Sequence, residues 1–384
     1  MVSGTSCGAL AGLFVLDLSA ILAGPTVGRI FADLGARVVK VERPGPGDPV
    51  RSMGRSVGGG EGAWWAFVGR NKETVSLDLE DSAERAHLMR MVCRADVLVE
   101  SFRPGTMARW GLDYEALAAV NPRLVVLRIS GFGAGGPREN WLGFGTLAEA
   151  FSGFAAMNGD SDGPRLPPTG LADSIAGLQG TVAVLAALHE RQRSGRGQLV
   201  EVNLYEPLLS VLGGHVVRDA AREEDLGVSA SSHVRGLFAT ADGDWIALSA
   251  HSAATGSAIA GLLGLAGSEG LDRGAVHDPD DVHRRLVAWI GGKSRDDALT
   301  HLLAAGIPAV PVLTPGQLSH DPHVIARESL PAVTQGTDAV RMPGIAMDFS
   351  RSEHTIRHIG KPQDDDREHV MAEFAPDHSS EVPG

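Results

Sequence analysis

The chain has 384 residues, 43% of them hydrophobic and 21% charged, which is the balance of a globular protein with room for two compact units. Its formal net charge of -13 argues against nucleic-acid binding, which needs cations clustered on one face. Two cysteines exclude a disulfide framework, and neither a signal peptide nor an uninterrupted apolar run of membrane-spanning length stands out, so we expect a cytoplasmic protein that does not enter a membrane.

The first part of the chain alternates short apolar strands with amphipathic helices. Strands are predicted at residues 13–18, 38–41, 96–99, 124–129 and 200–204. Helices are predicted at residues 26–34, 82–94, 114–120, 174–194 and 206–212. This alternation predicts an α/β fold with a doubly wound parallel sheet.

The pattern weakens around residues 213–234, which we interpret as the passage to a second unit. Residues 238–249 hold Asp242-Gly243-Asp244 between two apolar runs, which predicts a hairpin. Helical stretches follow at 281–290 and 295–304, and a short extended segment at 306–312. The second unit is therefore expected to be smaller and to mix helices with strands.

Common cofactor motifs are missing from the sequence. The turn after the first strand, residues 19–25, lacks the Gly-x-Gly-x-x-Gly that lets backbone approach a pyrophosphate, although Glu42 stands where a ribose-binding acid would be. No His pair has metal-ligand spacing, and no Ser-His-Asp or Cys-His arrangement stands out. A nicotinamide dehydrogenase is therefore a weak alternative, and no metal is expected.

Basic side chains recur after the predicted strands. Arg43 follows the second strand, Lys72 lies in Arg70-Asn71-Lys72, and Arg103 and Arg109 follow the strand at 96–99. For each of them alone, solvated surface charge is the plainer interpretation. Because the carboxyl ends of parallel strands meet at one edge of a sheet, their shared position favours a common site for a phosphate-rich ligand.

Asp173 stands directly before the longest predicted helix. A helix N-terminus stabilises a carboxylate, and a carboxylate there commonly accepts free backbone N–H groups. Position alone therefore favours a helix-capping role for Asp173.

Short motifs in order along nearly the whole chain carry a resemblance to a known family. No single motif is strong, but together they resemble the family III coenzyme A transferases, the CaiB/BaiF group. The motifs are Leu16-Asp17-Leu18, Ala23-Gly24-Pro25, Asp33-Leu34-Gly35-Ala36, Asn71-Lys72, Phe102-Arg103-Pro104-Gly105, Ser130-Gly131-Phe132-Gly133, Gly195-Arg196-Gly197-Gln198 and Ala305-Gly306-Ile307-Pro308-Ala309.

The resemblance implies an architecture. Residues 1–213 would form a large Rossmann-like domain that binds CoA, residues 214–325 a smaller α+β domain, and residues 326–384 a return to the large domain. It also implies a homodimer whose two chains interlock like links. A separated monomer would then expose the apolar surface that is buried between the chains.

The resemblance also implies a chemistry. Asp173 would be the nucleophile that carries CoA from an acyl-CoA donor, such as succinyl-CoA, to a carboxylic acid through aspartyl anhydride and aspartyl-CoA thioester intermediates. CoA is then a substrate, and no cofactor or metal is required. The residues that would contact CoA are Ile21, Ala23, Arg43, Lys72, Ser101, Phe102, Arg103 and Arg109.

Departures from the family pattern leave alternatives open. Many members have Gly-Tyr-Asp where this chain has Gly143-Phe144-Gly145, so an acid that is common there is missing. Glu149 is a nearby acid that would assist, although an exposed helix residue is the plainer interpretation. The related 2-methylacyl-CoA racemases use a His where Phe144 stands, and an apolar ring cannot transfer protons. A non-catalytic CoA-binding subunit of a hetero-oligomer would be expected to lack Asp173.

Overall fold

The structure, a computed structural model, describes residues 8–57, 60–217, 234–265, 279–335 and 338–376. The chain divides into two compact units, one made of Met1–Val217 with Glu328–Gly384 and the other of Arg218–Arg327. Most of the passage predicted at 213–234 lies outside the described residues, which stop at 217 and resume at 234.

The first unit alternates strands and helices from its first described residues. Two 3₁₀ helices, Pro49–Ser52 and Gly213–His215, accompany them. The elements are β1 (Phe14–Asp17), α1 (Ala23–Asp33), β2 (Arg37–Glu42), β3 (Ser56–Val57), β4 (Glu61–Gly62), α2 (Ala63–Val68), β5 (Glu73–Ser76), α3 (Ser82–Val92), β6 (Val97–Glu100), α4 (Thr106–Arg109), α5 (Tyr114–Val120), β7 (Val125–Ser130), α6 (Gly145–Phe151), α7 (Phe154–Met157), α8 (Leu171–Ser194), β8 (Leu199–Asn203) and α9 (Glu206–Leu212).

Six of these strands form one parallel sheet in the order β5-β2-β1-β6-β7-β8. The predicted α/β class and parallel sheet are confirmed. The strand order runs in opposite directions on the two sides of β1, so the first connections leave a crevice beyond the carboxyl ends of β1 and β6. Sheets of this type bind ligands at that position.

Alternating side chains of the strands build a core on each face of the sheet. Leu16 of β1 packs with apolar residues of α3 and α5, whereas its neighbour Val15 packs with residues of α1 and α8. This alternation follows from the two-residue period of a strand. Because helices cover both faces, the central strands β1 and β6 are apolar up to their last residue.

Helix α8 is the longest helix of the unit and is apolar along most of its length. It is the one helix of the described residues that is long and apolar enough to cross a membrane, with a mean hydropathy of 1.5. It packs along α1, β7 and β8, and its first turn lies beside α6. These are the contacts of a core helix, and core helices can be as long and as apolar as membrane-spanning ones.

The second unit combines antiparallel strands with helices, and the hairpin predicted around Asp242-Gly243-Asp244 is confirmed as β9 and β10. The third strand, β11, pairs antiparallel with β10. The elements are β9 (Val234–Ala239), β10 (Trp245–Ala250), α10 (Ala253–Leu262), α11 (Pro279–Gly291), α12 (Arg295–Ala304), β11 (Ala309–Pro311), α13 (Pro315–Leu318) and α14 (Pro322–Ala326).

The C-terminal segment from Glu328 belongs to the first unit and adds β12 (Ala332–Gln335), β13 (Asp338–Arg341) and α15 (Arg367–Glu373). Phe374, directly after α15, stacks on Phe14 of β1 with ring centroids 5.6 Å apart. Arg37 of β2 forms an ion pair of 2.7 Å with Glu373. These contacts attach the segment to one face of the sheet.

Candidate active site

Asp173 lies in the first turn of α8, on the wall of a cavity of about 820 Å³ that we call the large cavity. The helix begins at Leu171, three residues earlier than predicted, and its N-cap is Gly170. The expected capping role is therefore wrong for Asp173. Within the described part of the chain, no hydrogen bond or ion pair occupies its carboxylate, which leaves the oxygens available for chemistry.

Gly145, the first residue of α6, lies directly against that carboxylate. A Cβ atom added at Gly145 would stand 2.2 Å from Asp173 Oδ2, closer than any real contact. No side chain can therefore be placed at position 145 while Asp173 keeps its position. The sequence showed an acid missing here, and the structure shows that Asp173 needs the space.

Glu149 of α6 supplies the helix cap that Gly170 cannot. Its Oε1 accepts a hydrogen bond of 3.1 Å from the backbone N–H of Ala172, in the first turn of α8. The side chain also lines the large cavity and is only 2% exposed, so the expectation of an exposed helix residue is wrong. The sequence carries no signal for this burial, because α6 itself was not predicted.

Burial, with a smaller contribution from the negative charge of Glu149, raises the pKa of Asp173 to about 6. The sequence suggested that the helix field would keep this carboxylate ionised, and the structure shows a stronger opposing effect. At pH 7 a carboxylate with this pKa is still ionised in a ratio of about ten to one. Asp173 can therefore act as a nucleophile at neutral pH and as a weak acid below it.

The turn at residues 19–23, between β1 and α1, forms another wall of the large cavity and carries the predicted Ile21 and Ala23. Ile21 has φ = 72°, a left-handed conformation that costs a β-branched residue about 1–3 kcal/mol. Asp48 Oδ1 accepts the Ile21 N–H at 3.0 Å, and Ser101 Oγ accepts the Ala20 N–H at 2.9 Å. These side chains hold the strained turn open towards the cavity.

The predicted segment Ser101-Phe102-Arg103 also lines the large cavity, at the carboxyl end of β6. Phe102 additionally lines a second space of about 250 Å³, the small cavity, together with Ala20 and the predicted Arg43. Among the described residues that line the large cavity, Arg103 is the one cation. The structure thus brings together six of the eight predicted contact residues around two adjoining cavities.

Lys72 and Arg109 are placed differently. Lys72 is fully buried and donates hydrogen bonds from Nζ to Asp17 Oδ2 at 2.7 Å and to the Pro25 carbonyl at 2.8 Å. Arg109 is an exposed residue of α4 whose guanidinium bonds Thr106. Neither side chain lines the large or the small cavity.

Apolar side chains that the sequence did not single out complete the large cavity. Leu22, Trp141, Leu142 and Leu166 line it, and Phe144 does so with 54% of its surface exposed. They come from a turn and from loops, where no periodicity marks an inward direction. Among the described residues, no group of three His, Cys, Asp or Glu side chains is placed to hold a metal ion.

Comparison with known proteins gives consistent results. Residues 10–366 match the family described as CoA-transferase family III. The chain is 36% identical to succinyl-CoA–D-citramalate CoA-transferase of Chloroflexus aurantiacus, covering 82% of this chain and 81% of the relative. It is 32% identical to the succinyl-CoA–L-malate CoA-transferase alpha subunit of that organism, covering 92% and 86%.

A solved structure has the same fold. The CaiB/BaiF family protein from Brucella suis superposes with a TM-score of 0.83 at 28% identity, over 96% of this chain and all of the other.

Proposed function

We propose, because this chain belongs to CoA-transferase family III, that the enzyme moves CoA from an acyl-CoA donor to a carboxylic acid with Asp173 as its nucleophile. The observation that carries the proposal is the Asp173 carboxylate. It faces the large cavity, is bonded to no donor among the described residues, and has a pKa of about 6 that leaves it ionised at neutral pH. A carboxylate with these properties is suited to attack a thioester.

The reaction would proceed by covalent catalysis. Asp173 attacks the carbonyl carbon of the donor thioester, the C–S bond breaks, and CoA leaves as a thiolate from a mixed anhydride. The thiolate then attacks the Asp173 carbonyl carbon, which releases the donor acid and leaves an aspartyl-CoA thioester. The acceptor carboxylate attacks that thioester, and the returning thiolate takes the acceptor acyl group from the resulting anhydride. Asp173 is regenerated, and no proton, metal or redox cofactor is consumed.

The two adjoining cavities support a placement for the substrate. The thioester would lie in the large cavity beside Asp173, and the phosphate-bearing end of CoA would extend past Phe102 towards Arg43 and Arg103. The turn at Ile21 and Ala23 and the hydroxyl of Ser101 would contact the chain between them. This placement lies beyond the carboxyl ends of β1 and β6, as in Rossmann-like sheets, and the strand order supports that description.

Lys72 and Arg109 would take part differently from the sequence-based expectation. Lys72 would support the substrate-binding turn from beneath through Asp17. Arg109, exposed on α4, would meet CoA only at its outer end.

The names of the relatives suggest a donor to test and two possible assemblies. Succinyl-CoA is the first donor to test, because two relatives are named for it. We propose an interlocked homodimer in the cytoplasm, where acyl-CoA thioesters are formed. One relative is named as an alpha subunit, so assembly with a second, related chain is the alternative.

A hydroxylamine trap tests the nucleophile. The purified enzyme is incubated with acyl-CoAs and hydroxylamine, and the peptide containing Asp173 is examined by mass spectrometry for a hydroxamate. We expect a hydroxamate at Asp173 in the wild type, and loss of both the adduct and CoA transfer in Asp173→Ala with CoA binding retained. Full transfer by Asp173→Ala would overturn the assignment.

A racemase is tested in the same preparation. Because Phe144 stands where the related racemases use a His, we expect no α-hydrogen exchange when a 2-methylacyl-CoA is incubated in deuterium oxide without an acceptor acid. Rapid exchange under these conditions would replace the transferase proposal by a racemase.

A further inference from the structure

Two carboxylates share one wall of the large cavity. Asp173 projects from the first turn of α8, and Glu149 projects from α6 into the same space. Glu149 is 2% exposed and Asp173 is mostly buried. Two like charges in a poorly solvated site are costly, so the negative charge of Glu149 disfavours ionisation of Asp173 unless a cation lies between them.

No such cation is found in the described part of the site. The other charged side chains on the cavity wall are Arg103 and Glu139, both exposed, and neither forms an ion pair with Glu149 or Asp173 among the described residues. Arg138 approaches α6 from the preceding loop, but its guanidinium lies over the rings of Trp141 and Phe151.

Charged groups on the other elements that pack against α8 or α6 are engaged elsewhere. Helix α7 carries none. Asp33 of α1 pairs with Arg29 of the same helix and with Arg70. Arg128 of β7 pairs with Glu100 and with Glu201 of β8. Glu206 of α9 accepts a hydrogen bond from the Tyr205 hydroxyl.

Glu149 has a hydrogen-bond partner in the first turn of α8. Its Oε1 accepts the N–H of Ala172 at 3.1 Å, and the N-cap residue Gly170 has no side chain to do so. The bond fixes the first turn of α8, and Asp173 is the next residue of that turn.

We propose that Glu149 is a positioning residue for Asp173, which holds the first turn of α8 in place through the Ala172 amide and sets by its charge the pH range in which Asp173 is nucleophilic. The inference rests on the proposed function, since it concerns the same carboxylate. The effect of Glu149 on the pKa of Asp173 supports it, and burial is the larger cause of that shift. Glu149 touches no reacting atom in this scheme.

Two substitutions separate the two parts of the proposal. Glu149→Gln keeps an oxygen that can accept the Ala172 N–H but removes the charge. Glu149→Asp keeps the charge but withdraws it by one methylene from the Ala172 amide. The pH dependence of kcat/KM for CoA transfer reports the ionisation of the free enzyme and is the decisive measurement.

For Glu149→Gln we expect the acid limb of the kcat/KM profile to move to lower pH by about half to one unit, with kcat on the plateau nearly retained. For Glu149→Asp we expect the limb to stay near its wild-type position while kcat falls about 10-fold, because the turn that carries Asp173 is no longer fixed. Glu139→Gln removes an exposed carboxylate from the same cavity wall and is the matched control, with an unshifted acid limb.

The failures of the two proposals are distinguishable. Absence of CoA transfer and of the Asp173 hydroxamate in the wild type would remove the proposed function itself. Transfer by the wild type with an acid limb that Glu149→Gln leaves in place would overturn the role of Glu149. If Glu149→Gln does not fold, a Glu149→Asp enzyme that retains full kcat would overturn the positioning role.

Discussion

At the scale of the residue, the raised pKa of Asp173 links activity to stability. Its pKa is about 6 in the folded protein against 3.8 for an ordinary aspartate, so the folded state binds a proton more tightly than the unfolded state. Its contribution is therefore neutral below pH 3.8, becomes destabilising as pH rises towards 6, and is fully unfavourable above that value. The ionised Asp173 therefore lowers the free energy of unfolding at the neutral pH at which it would act as a nucleophile.

Asp173→Asn should consequently stabilise the protein at neutral pH by about 1 to 2 kcal/mol, a range reduced from the full shift because the site is partly solvated. The gain should shrink as pH falls towards 4. Urea unfolding of the two proteins at both pH values measures it, with Glu139→Gln as a variant whose stability difference does not follow this trend. A wild type that is more stable than Asp173→Asn at neutral pH would contradict the burial of an ionised carboxylate.

At this scale the sequence singled out Asp173, which the structure places on the wall of the large cavity, but it did not predict the surroundings of that residue. Position alone assigned a capping role to Asp173, and only the ordered motifs pointed to a nucleophile. The structure assigns the cap to Glu149, which precedes Ala172 by 23 positions in the chain and accepts a hydrogen bond from its backbone N–H. Such a bond depends on how α6 packs against α8, and a local pattern contains no information about that packing.

At the scale of elements, the approach of α6 to α8 is set by the absence of a side chain at Gly145. Gly145→Ala should lower kcat by at least about 100-fold, because the new Cβ would overlap Asp173 Oδ2 and displace the nucleophile from its reactive position. Steady-state kinetics and circular dichroism measure activity and fold together. Ala148→Gly in the same helix is a control for a change in helix propensity, and loss of fold rather than activity in Gly145→Ala would show that the contact is structural.

The turn between β1 and α1 depends on the buried pair of Lys72 and Asp17 beneath it. Lys72→Met should destabilise the protein by about 3 kcal/mol, because Asp17 would remain buried without this partner. The double variant Lys72→Met/Asp17→Leu should recover much of that loss. Chemical denaturation and a CoA-binding titration measure both effects. A Lys72→Met protein that keeps its stability and loses only CoA affinity would instead place the ammonium in contact with the ligand.

The predictability of the elements follows their periodicity. Helices at Tyr114–Val120, Glu206–Leu212 and Arg295–Ala304 were predicted at their observed bounds, since each has a regular apolar face and a polar start. The edge strand β5 and the short helix α6 were missed, because β5 has four residues of mixed polarity and α6 follows a glycine-rich loop. Of these two elements, α6 borders the large cavity, where shape rather than core packing governs the sequence.

At the scale of the whole molecule, large apolar side chains remain exposed on the core helix α8. Leu178 and Val182, one turn apart, are 55% and 60% exposed, as expected for a face that a second chain covers. Light scattering after size exclusion should give twice the 40.1 kDa of one chain. For interlocked chains, mixed tagged and untagged dimers should not exchange subunits without unfolding. A monomeric mass, or rapid exchange, would contradict the interlocked homodimer.

Ala20 and Phe102 line both the large and the small cavity, so one strained turn and one ring form the partition between them. On the proposed function, the nucleotide end of CoA in the small cavity would hold that partition in place while the thioester reacts in the large cavity. Shortened thioesters that lack the nucleotide would leave the small cavity empty. They should therefore react with a lower kcat as well as bind with a lower affinity. Binding of the nucleotide end of CoA would thus promote the reaction at the thioester end of the same molecule.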